Sequence, residues 1–378
     1  MKVGLVTPYA WDKHGGVNHH IKNLAAYLAG NGHDVRVLAP VSNGHRPDSE
    51  NVIAVDDHPY RLAAGGSWAY VSVHSLFHGK KIERILEQEK FDILHVHELF
   101  MPFLPFMTVG RSNTVNIGTF HAAKDHGNKW YQISRNMPGI RGRMQERMES
   151  LDGKICVSPS AKRLISRYFP DYEYTIIPNS VDVDRFSSAE PLEGFNDGRV
   201  NILYVGRLEK RKGITYLLQA YGNIAHRSDV RLMIVSSGGN LRHVCDRIID
   251  ERGLENVVFA NNVSNEELPG YYKTSHLVCA PSVKNESFGI VLLEAMAAGK
   301  PVVAFRNPGY EDVVTNGEGV LVPPKDVDGL TQALFDVVDD PESRIRMGEA
   351  GRKTVEQYSI PVVGRKIEMV YEEALRRS

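Results

Sequence analysis

The sequence has few cysteines. Cys156, Cys245 and Cys279 are far apart and odd in number. This argues against a disulfide-stapled secreted fold and predicts reduced, structural thiols in a cytoplasmic protein. No run of about 18 uninterrupted apolar residues occurs, so no membrane-spanning helix is expected. Net charge is nearly absent, −1 over 378 residues, which makes no case for a nucleic-acid partner. Low-complexity segments are missing too. The opening "MKVGLVTPYAWDKHGG" has a short apolar run and no small-residue cleavage site after it. It reads as a first β-strand and not as a signal peptide.

What remains is an ordinary globular composition, 42% hydrophobic and 24% charged, as soluble domains have. The length predicts two or three domains with ample core. Residues 1–183 carry 21 Lys+Arg against 18 Asp+Glu and the remainder 24 against 28, so the halves are +3 and −4. Twelve of the 15 histidines lie in the first half, whose positive charge therefore grows below about pH 6.5.

The chain reads strand, loop, helix, repeated. A first series of β-rich runs is Lys2–Thr7, Asp34–Ala39, Asp92–His97, Asn116–Phe120, Lys154–Val157 and Tyr174–Ile177. A second opens at "VNILYVGRLEKRKG" and continues through Arg231–Ser236, Val257–Ala260, His276–Ala280, Val302–Phe305 and Val320–Val322. Between them lie segments such as "GVNHHIKNLAAYLAGNGH", where Ile21, Leu24, Ala25 and Leu28 form one helical face and Gly30 or Gly32 ends it. This alternation predicts two doubly wound α/β domains built on parallel sheets. Residues 177–199, rich in Pro, Asn, Asp, Ser and Gly, mark the boundary. The expected division is 1–183, 184–362 and a last helix, 363–378. Two such sheets facing each other would leave a cleft at the carboxyl ends of their strands, where open α/β sheets bind ligands.

Four places carry chemistry. In "TPYAWDKHGGVNHH", Gly15 and Gly16 follow a strand and open a helix, so backbone amides there suit a phosphate. The spacing is not G-x-G-x-x-G, and the second strand ends in "VRVLAP" without an acidic residue, which argues against a dinucleotide fold. In "YVGRLEKRKG", Arg207, Lys210, Arg211 and Lys212 cluster at a strand end, suited to a diphosphate; the competing reading is a solvated basic loop. In "FDILHVHELF", His95, His97 and Glu98 form an H-x-H-E group, but no third ligand stands at a diagnostic metal spacing. Those rings are read as lining a polar cleft or packing neutral. His121 follows a strand on the same ligand side.

The fourth place is "ESFGIVLLEAMAAGKPVV". It predicts a buried helix over Phe288–Ala298, stopped by Gly299 and Pro301. Glu294 would accept from vicinal ribose hydroxyls, amides around Gly289 and Ile290 would hold phosphate, and Glu286 would hold sugar hydroxyls. The alternative is that Glu294 sits in a structural salt bridge. Two further segments suit a lipid surface: "LFMPFLPFM", and "SLFHGKKIERILEQEK" with Lys80, Lys81 and Arg84 among Phe77, Ile82, Ile85 and Leu86. From Lys124 to Arg147, six Lys+Arg surround Trp130 and Tyr131. Basic residues among aromatics fit an anionic membrane; a buried loop beside ordinary amphipathic helices is the alternative.

Together "GGV", "HVHE", "TFHA", "IPNSVDVDRF", "GRLEKRKG" and the Glu286-x7-Glu294 helix resemble retaining glycosyltransferases of family 4 along essentially the whole chain. Within these, "MKVGLVTPYAWDKHGGVNHH" and "CAPSVKNESFGIVLLEAMAAG" are similar to phosphatidylinositol mannosyltransferases. The resemblance implies a GT-B fold, two Rossmann-like domains facing across a cleft, and a last helix crossing back to the first. It implies a donor set of Gly15, Gly16, Arg207, Lys212, Glu286, Phe288, Gly289, Ile290 and Glu294. His121, Arg207, Lys212 and Glu286 would be catalytic, and Tyr9 and Asn18 would meet the acceptor. No cofactor or metal is expected. Leu99 and Phe100 stand where such enzymes carry Pro-Asn, Ala122 where Thr is common, and Asn18 where Gln is typical. The expected activity is transfer of a hexose, mannose from GDP-mannose, to a hydroxyl of a phospholipid headgroup by a cytoplasmic enzyme peripheral on the inner membrane face. The alternatives are a UDP-hexose donor with a sugar, polyol or thiol-precursor acceptor, a nucleotide-sugar epimerase, and a sugar-nucleotide sensor without catalysis.

Overall fold

A computed structural model describes residues 1–13, 15–42, 50–64, 67–72, 78–100, 103–122, 138–225 and 229–378. The chain forms two compact units. Unit 1 comprises Met1–Ser180 and Ile360–Ser378, and unit 2 Val181–Ser359. The divisions thus fall at 180/181 and 359/360, against the 183/184 and 362/363 of the sequence reading. The passages between the units run side by side: Val181 N–H donates to the Tyr358 carbonyl at 2.9 Å.

In unit 1 the strands are β1 (Lys2–Val6), β2 (Asp34–Pro40), β3 (Val52–Asp56), β4 (Tyr60–Ala64), β5 (Ser67–Val71), β6 (Ile93–His97), β7 (Val115–Phe120), β8 (Gly153–Cys156) and β9 (Thr175–Ile176). Seven make one sheet in the order β3-β2-β1-β6-β7-β8-β9, paired in parallel. In unit 2, β10 (Val200–Val205), β11 (Val230–Ser236), β12 (Val257–Asn261), β13 (Leu277–Ala280), β14 (Val302–Phe305) and β15 (Gly319–Val322) follow the order β12-β11-β10-β13-β14-β15. Both are doubly wound parallel sheets, as the alternation predicts. In each, the order reverses beside the first strand, where such folds place ligands.

Both faces of each sheet are covered, and side chains alternate between them. Along β10, Ile202 and Tyr204 enter one core with the helix Ile214–Ile224, while Leu203 enters the other with the helix Ile290–Ala297. In unit 1, Val3 and Leu5 pack with Ile21, Leu24 and Leu28 of the helix Gly16–Gly30 and with Val363, Ile367 and Tyr371 of the helix Ile360–Arg377. Those two helices cross closely, since a Cβ on Gly364 would lie 2.4 Å from the Tyr27 ring.

The structure corrects two readings and bears on a third. β3 and the antiparallel pair β4–β5 were not expected; that pair stands outside the main sheet, so a strand-loop-helix count gives it no place. The buried helix begins at Ile290, two residues late, because Gly289 turns with φ +98°. Of the two segments that suit a lipid surface or a buried loop, Leu99, Phe100, Leu104, Ile82 and Ile85 are buried in the core. Lys81 donates to the Val55 carbonyl at 3.0 Å, and Lys80 is exposed on the helix Gly79–Glu89. Phe77, Met101, Pro102, Lys124, Trp130 and Tyr131 lie outside the described residues.

Candidate functional site

The loop after β10 is tied down by hydrogen bonds. Tyr204 donates its hydroxyl to the Arg207 carbonyl at 3.0 Å, and Leu208 N–H donates to Gly238 on the neighbouring loop. The chain then makes a short 3-10 turn, Lys210–Lys212, closed by Gly213 with φ +72°. A Cβ there would sit 1.8 Å from the Pro281 carbonyl oxygen. This close approach brings the basic turn against the segment after β13, which carries Glu286.

Glu286 is the hub of a charge network. Its Oε1 lies 2.7 Å from Lys212 Nζ and 2.9 Å from Arg211. Arg211 also meets Glu209 at 3.2 Å, and Arg207 meets the other oxygen of Glu209 at 3.2 Å. Burial alone would raise the Glu286 pKa, but Lys212 and Arg211, with a hydrogen bond from Ser282, hold it below the ordinary carboxylate range. An anion arriving here meets cations already gathered and oriented, which limits reorganisation. Of this network the sequence reading chose Arg207, Lys212 and Glu286 as site residues and noted Arg211 among the basic cluster. It missed Glu209, Ser282 and the pairing itself. A carboxylate inside the basic run "RLEKRKG" was the available signal.

The helix Ile290–Ala297 starts from Gly289, and no side chain caps it. Its start is fixed by neighbours: Tyr310 lies where a Gly289 Cβ would be, at 2.7 Å. Asn307 in turn donates to the Ser282 carbonyl and accepts from Tyr310 N–H. Phe288 is buried against Tyr358, so only its backbone and that of Gly289 and Ile290 serve the helix N-terminus. The far end closes as expected, with Gly299 N–H to Met296 and Lys300 N–H to Ala295, the pairing of a Schellman motif.

Glu294 lies one turn into the helix and is 7% exposed. Its partner is Tyr272, whose hydroxyl donates at 2.6 Å. Burial pushes its carboxyl up to about 7, partly offset by Tyr272 and by the more distant Arg185. Between pH 4.5 and 7 the folded chain therefore holds this proton more tightly than the unfolded chain, and stability falls as pH rises through that window. Glu294→Gln is expected to remove the loss, adding on the order of 3 kcal/mol at pH 8 and little at pH 4. Urea unfolding at the two pH values checks this.

Unit 1 presents a separate group. Asn18 is buried; its amide donates to the Ala10 and Lys13 carbonyls, and its oxygen accepts from Thr7. It shapes the loop after β1 in which Tyr9 stands half-buried. Gly15 and Gly16 are exposed at the start of their helix, and Gly15 is extended, with open space where a Cβ would go. His95, His97 and His121 form a ladder: rings 95 and 97 stack at 4.3 Å, and His97 Nδ1 lies 3.0 Å from His121 Nε2. His95 bonds Tyr371 at 2.6 Å and Thr119 at 2.7 Å, and the His121 amide donates to Glu98 at 2.6 Å. Burial lowers all three pKa values, His95 to about 3, so the rings are neutral, as one sequence reading had them. His20, absent from that reading, joins by ring contacts to His97 and His121.

The family model described as Glycosyl transferases group 1 matches residues 189–354, and the one described as Glycosyltransferase Family 4 matches residues 14–185. A phosphatidyl-myo-inositol mannosyltransferase of Mycolicibacterium smegmatis is 32% identical over 379 residues, covering 98% of this chain and 94% of the relative. Sucrose-phosphate synthase from Thermosynechococcus elongatus has a TM-score of 0.78 and 22% identity, with both chains covered in full. Anabaena HepE, solved with UDP and glucose, has a TM-score of 0.75 and 16% identity, with 99% of this chain and 100% of that one covered. At these identities the two structures bear on fold.

Proposed function

Because this chain belongs to the glycosyltransferases that join a family 4 domain to a group 1 domain in the GT-B fold, we propose that it transfers mannose from GDP-mannose to an acceptor hydroxyl with retention. The observation that carries the donor half is the Glu286–Lys212–Arg211–Glu209–Arg207 network beside an uncapped helix N-terminus. Backbone amides of Gly289 and Ile290 and the cations Arg207 and Lys212 bind the diphosphate. Glu294, one of whose oxygens already accepts from Tyr272, takes the ribose hydroxyls, and Glu286 the sugar. As the sugar–phosphate bond breaks, charge grows on the diphosphate, where Arg207 and Lys212 stabilise it. The acceptor oxygen bonds the anomeric carbon on the same face, and its proton passes to the departing phosphate oxygen. No resident metal is required in this reading.

The test is a donor panel of GDP-mannose, UDP-glucose and UDP-N-acetylglucosamine, scored by slow hydrolysis without acceptor. GDP-mannose should be consumed fastest; a UDP-sugar turned over faster would overturn the donor assignment. Retention is read from the anomeric configuration of the product.

The mannosyltransferase relatives favour a lipid-linked acceptor. The burial of Leu99, Phe100, Ile82 and Ile85 favours a second reading, a soluble polyol or sugar, because it leaves polar residues of both signs, Lys80, Glu83, Arg84, Glu87 and Gln88, exposed on that helix. Electrostatic attraction is worth about 1 kcal/mol per basic residue at an anionic surface. Under the lipid reading, co-sedimentation with phosphatidylserine vesicles falls several-fold in the Lys80→Ala/Lys81→Ala variant. An absence of binding at low salt supports the soluble acceptor.

A further inference from the structure

From the group in unit 1 we infer a three-histidine site for a late first-row divalent ion such as Zn²⁺, formed by His20, His97 and His121. The ligands come from three elements whose adjacency the fold fixes. His20 is on the helix Gly16–Gly30. His97 ends β6 opposite Thr119 of β7, and His121 stands two residues after Thr119. One nitrogen from each ring lies within 4.8 Å of those of the other two, and all three residues are buried. Nitrogens sharing one ion at about 2.0–2.1 Å stand about 3 Å apart, and the His97–His121 pair is already 3.0 Å apart.

The second observation is independent of the clustering. Among the described residues, neither ring nitrogen of His20 has a hydrogen-bond partner. His20 is 1% exposed and His97 0%. Buried polar atoms are seldom left so, and each that is costs stability. A buried imidazole with neither nitrogen partnered, packed against the His97–His121 pair, is what a soft-to-borderline cation satisfies. His95 supports the set from behind, its ring stacked on His97 and fixed by Tyr371 and Thr119, as outer partners fix ligand rings in metal sites. Three protein ligands leave a coordination position for water or an anion. Ion binding displaces the proton shared by His97 and His121, and while bound it withholds His121 Nε2 from any other partner.

The site uses unit 1 alone, so its test is separate from the donor reading. Chelator-treated full-length protein is dialysed against Zn²⁺, and bound metal is counted by elemental analysis. Co²⁺ is titrated in parallel and followed by its visible absorption. The wild type should bind one more equivalent than His20→Ala or His20→Phe, with at least about a 10-fold loss of affinity in each variant. Zn²⁺ should raise the wild-type Tm and leave the Tm of both variants unchanged. Far-UV circular dichroism and the metal-free Tm confirm that the variants fold; if His20→Ala does not, His20→Phe keeps the ring volume. Equal Zn²⁺ stoichiometry and affinity in wild type and His20→Phe, or no tetrahedral Co²⁺ spectrum in the wild type, overturns the site.

Discussion

Lys212→Ala should lower turnover about 100-fold, as removal of a stabiliser of transition-state charge does. Lys212 sits 2.7 Å from Glu286, and Arg211 holds the same carboxylate oxygen. Lys212 can therefore swing its charge toward a diphosphate without leaving Glu286 unpaired. The loss should fall on kcat more than on KM, since the charge on the leaving group grows only as the bond breaks. Arg207→Ala should act similarly, through a guanidinium braced by Glu209. Lys210, exposed on the same turn, serves as the control; its replacement by Ala should change turnover by less than about threefold. Near-normal kcat in both Lys212→Ala and Arg207→Ala would remove the donor assignment.

The largest expected effect on stability is at Gly213. Alanine there must take a φ of +72° with its Cβ 1.8 Å from the Pro281 carbonyl oxygen. The left-handed backbone costs about 1–2 kcal/mol, and the overlap forces the β10 loop away from the β13 loop. A total of about 3 kcal/mol corresponds to a Tm fall of roughly 6–12 °C for a domain of this size. Gly253→Ala isolates the backbone term, because Gly253 has φ +58° and nothing within 4 Å of a Cβ. Its Tm should fall by about 2–8 °C, less than that of Gly213→Ala. Scanning calorimetry of both variants separates close approach from backbone conformation; equal shifts would remove the packing argument.

The contrast between these glycines shows what a sequence discloses. The strands, their parallel arrangement and the Glu286-x7-Glu294 helix were legible because they rest on local periodicity and punctuation. Pairings between distant segments were not. Glu286 meets Arg211 across 75 residues and Glu294 meets Tyr272 across 22, and nothing local to either carboxylate announces its partner. His20 was missed for the same reason: in "GVNHHIKNL" it looks like one more polar residue on a helix, and only β6 and β7 turn it into a neighbour of His97. Even the helix start was misplaced until Tyr310, from a different segment, explained why Gly289 must turn.

The side-by-side passages at Val181 and Tyr358 have a consequence for biosynthesis. Unit 2 is an insertion, and unit 1 is written at both ends of the message. A ribosome working from the N-terminus releases everything unit 2 needs before the helix Ile360–Arg377 emerges. Until then β1 and its neighbours lack Val363, Ile367 and Tyr371, and His95 lacks the hydroxyl 276 residues away. The usual order, N-terminal domain first, is thus reversed for completion. The first half of the nascent chain must wait with apolar surface uncovered, and a chain truncated before Ile360 should yield a folded second domain attached to an unfinished first one.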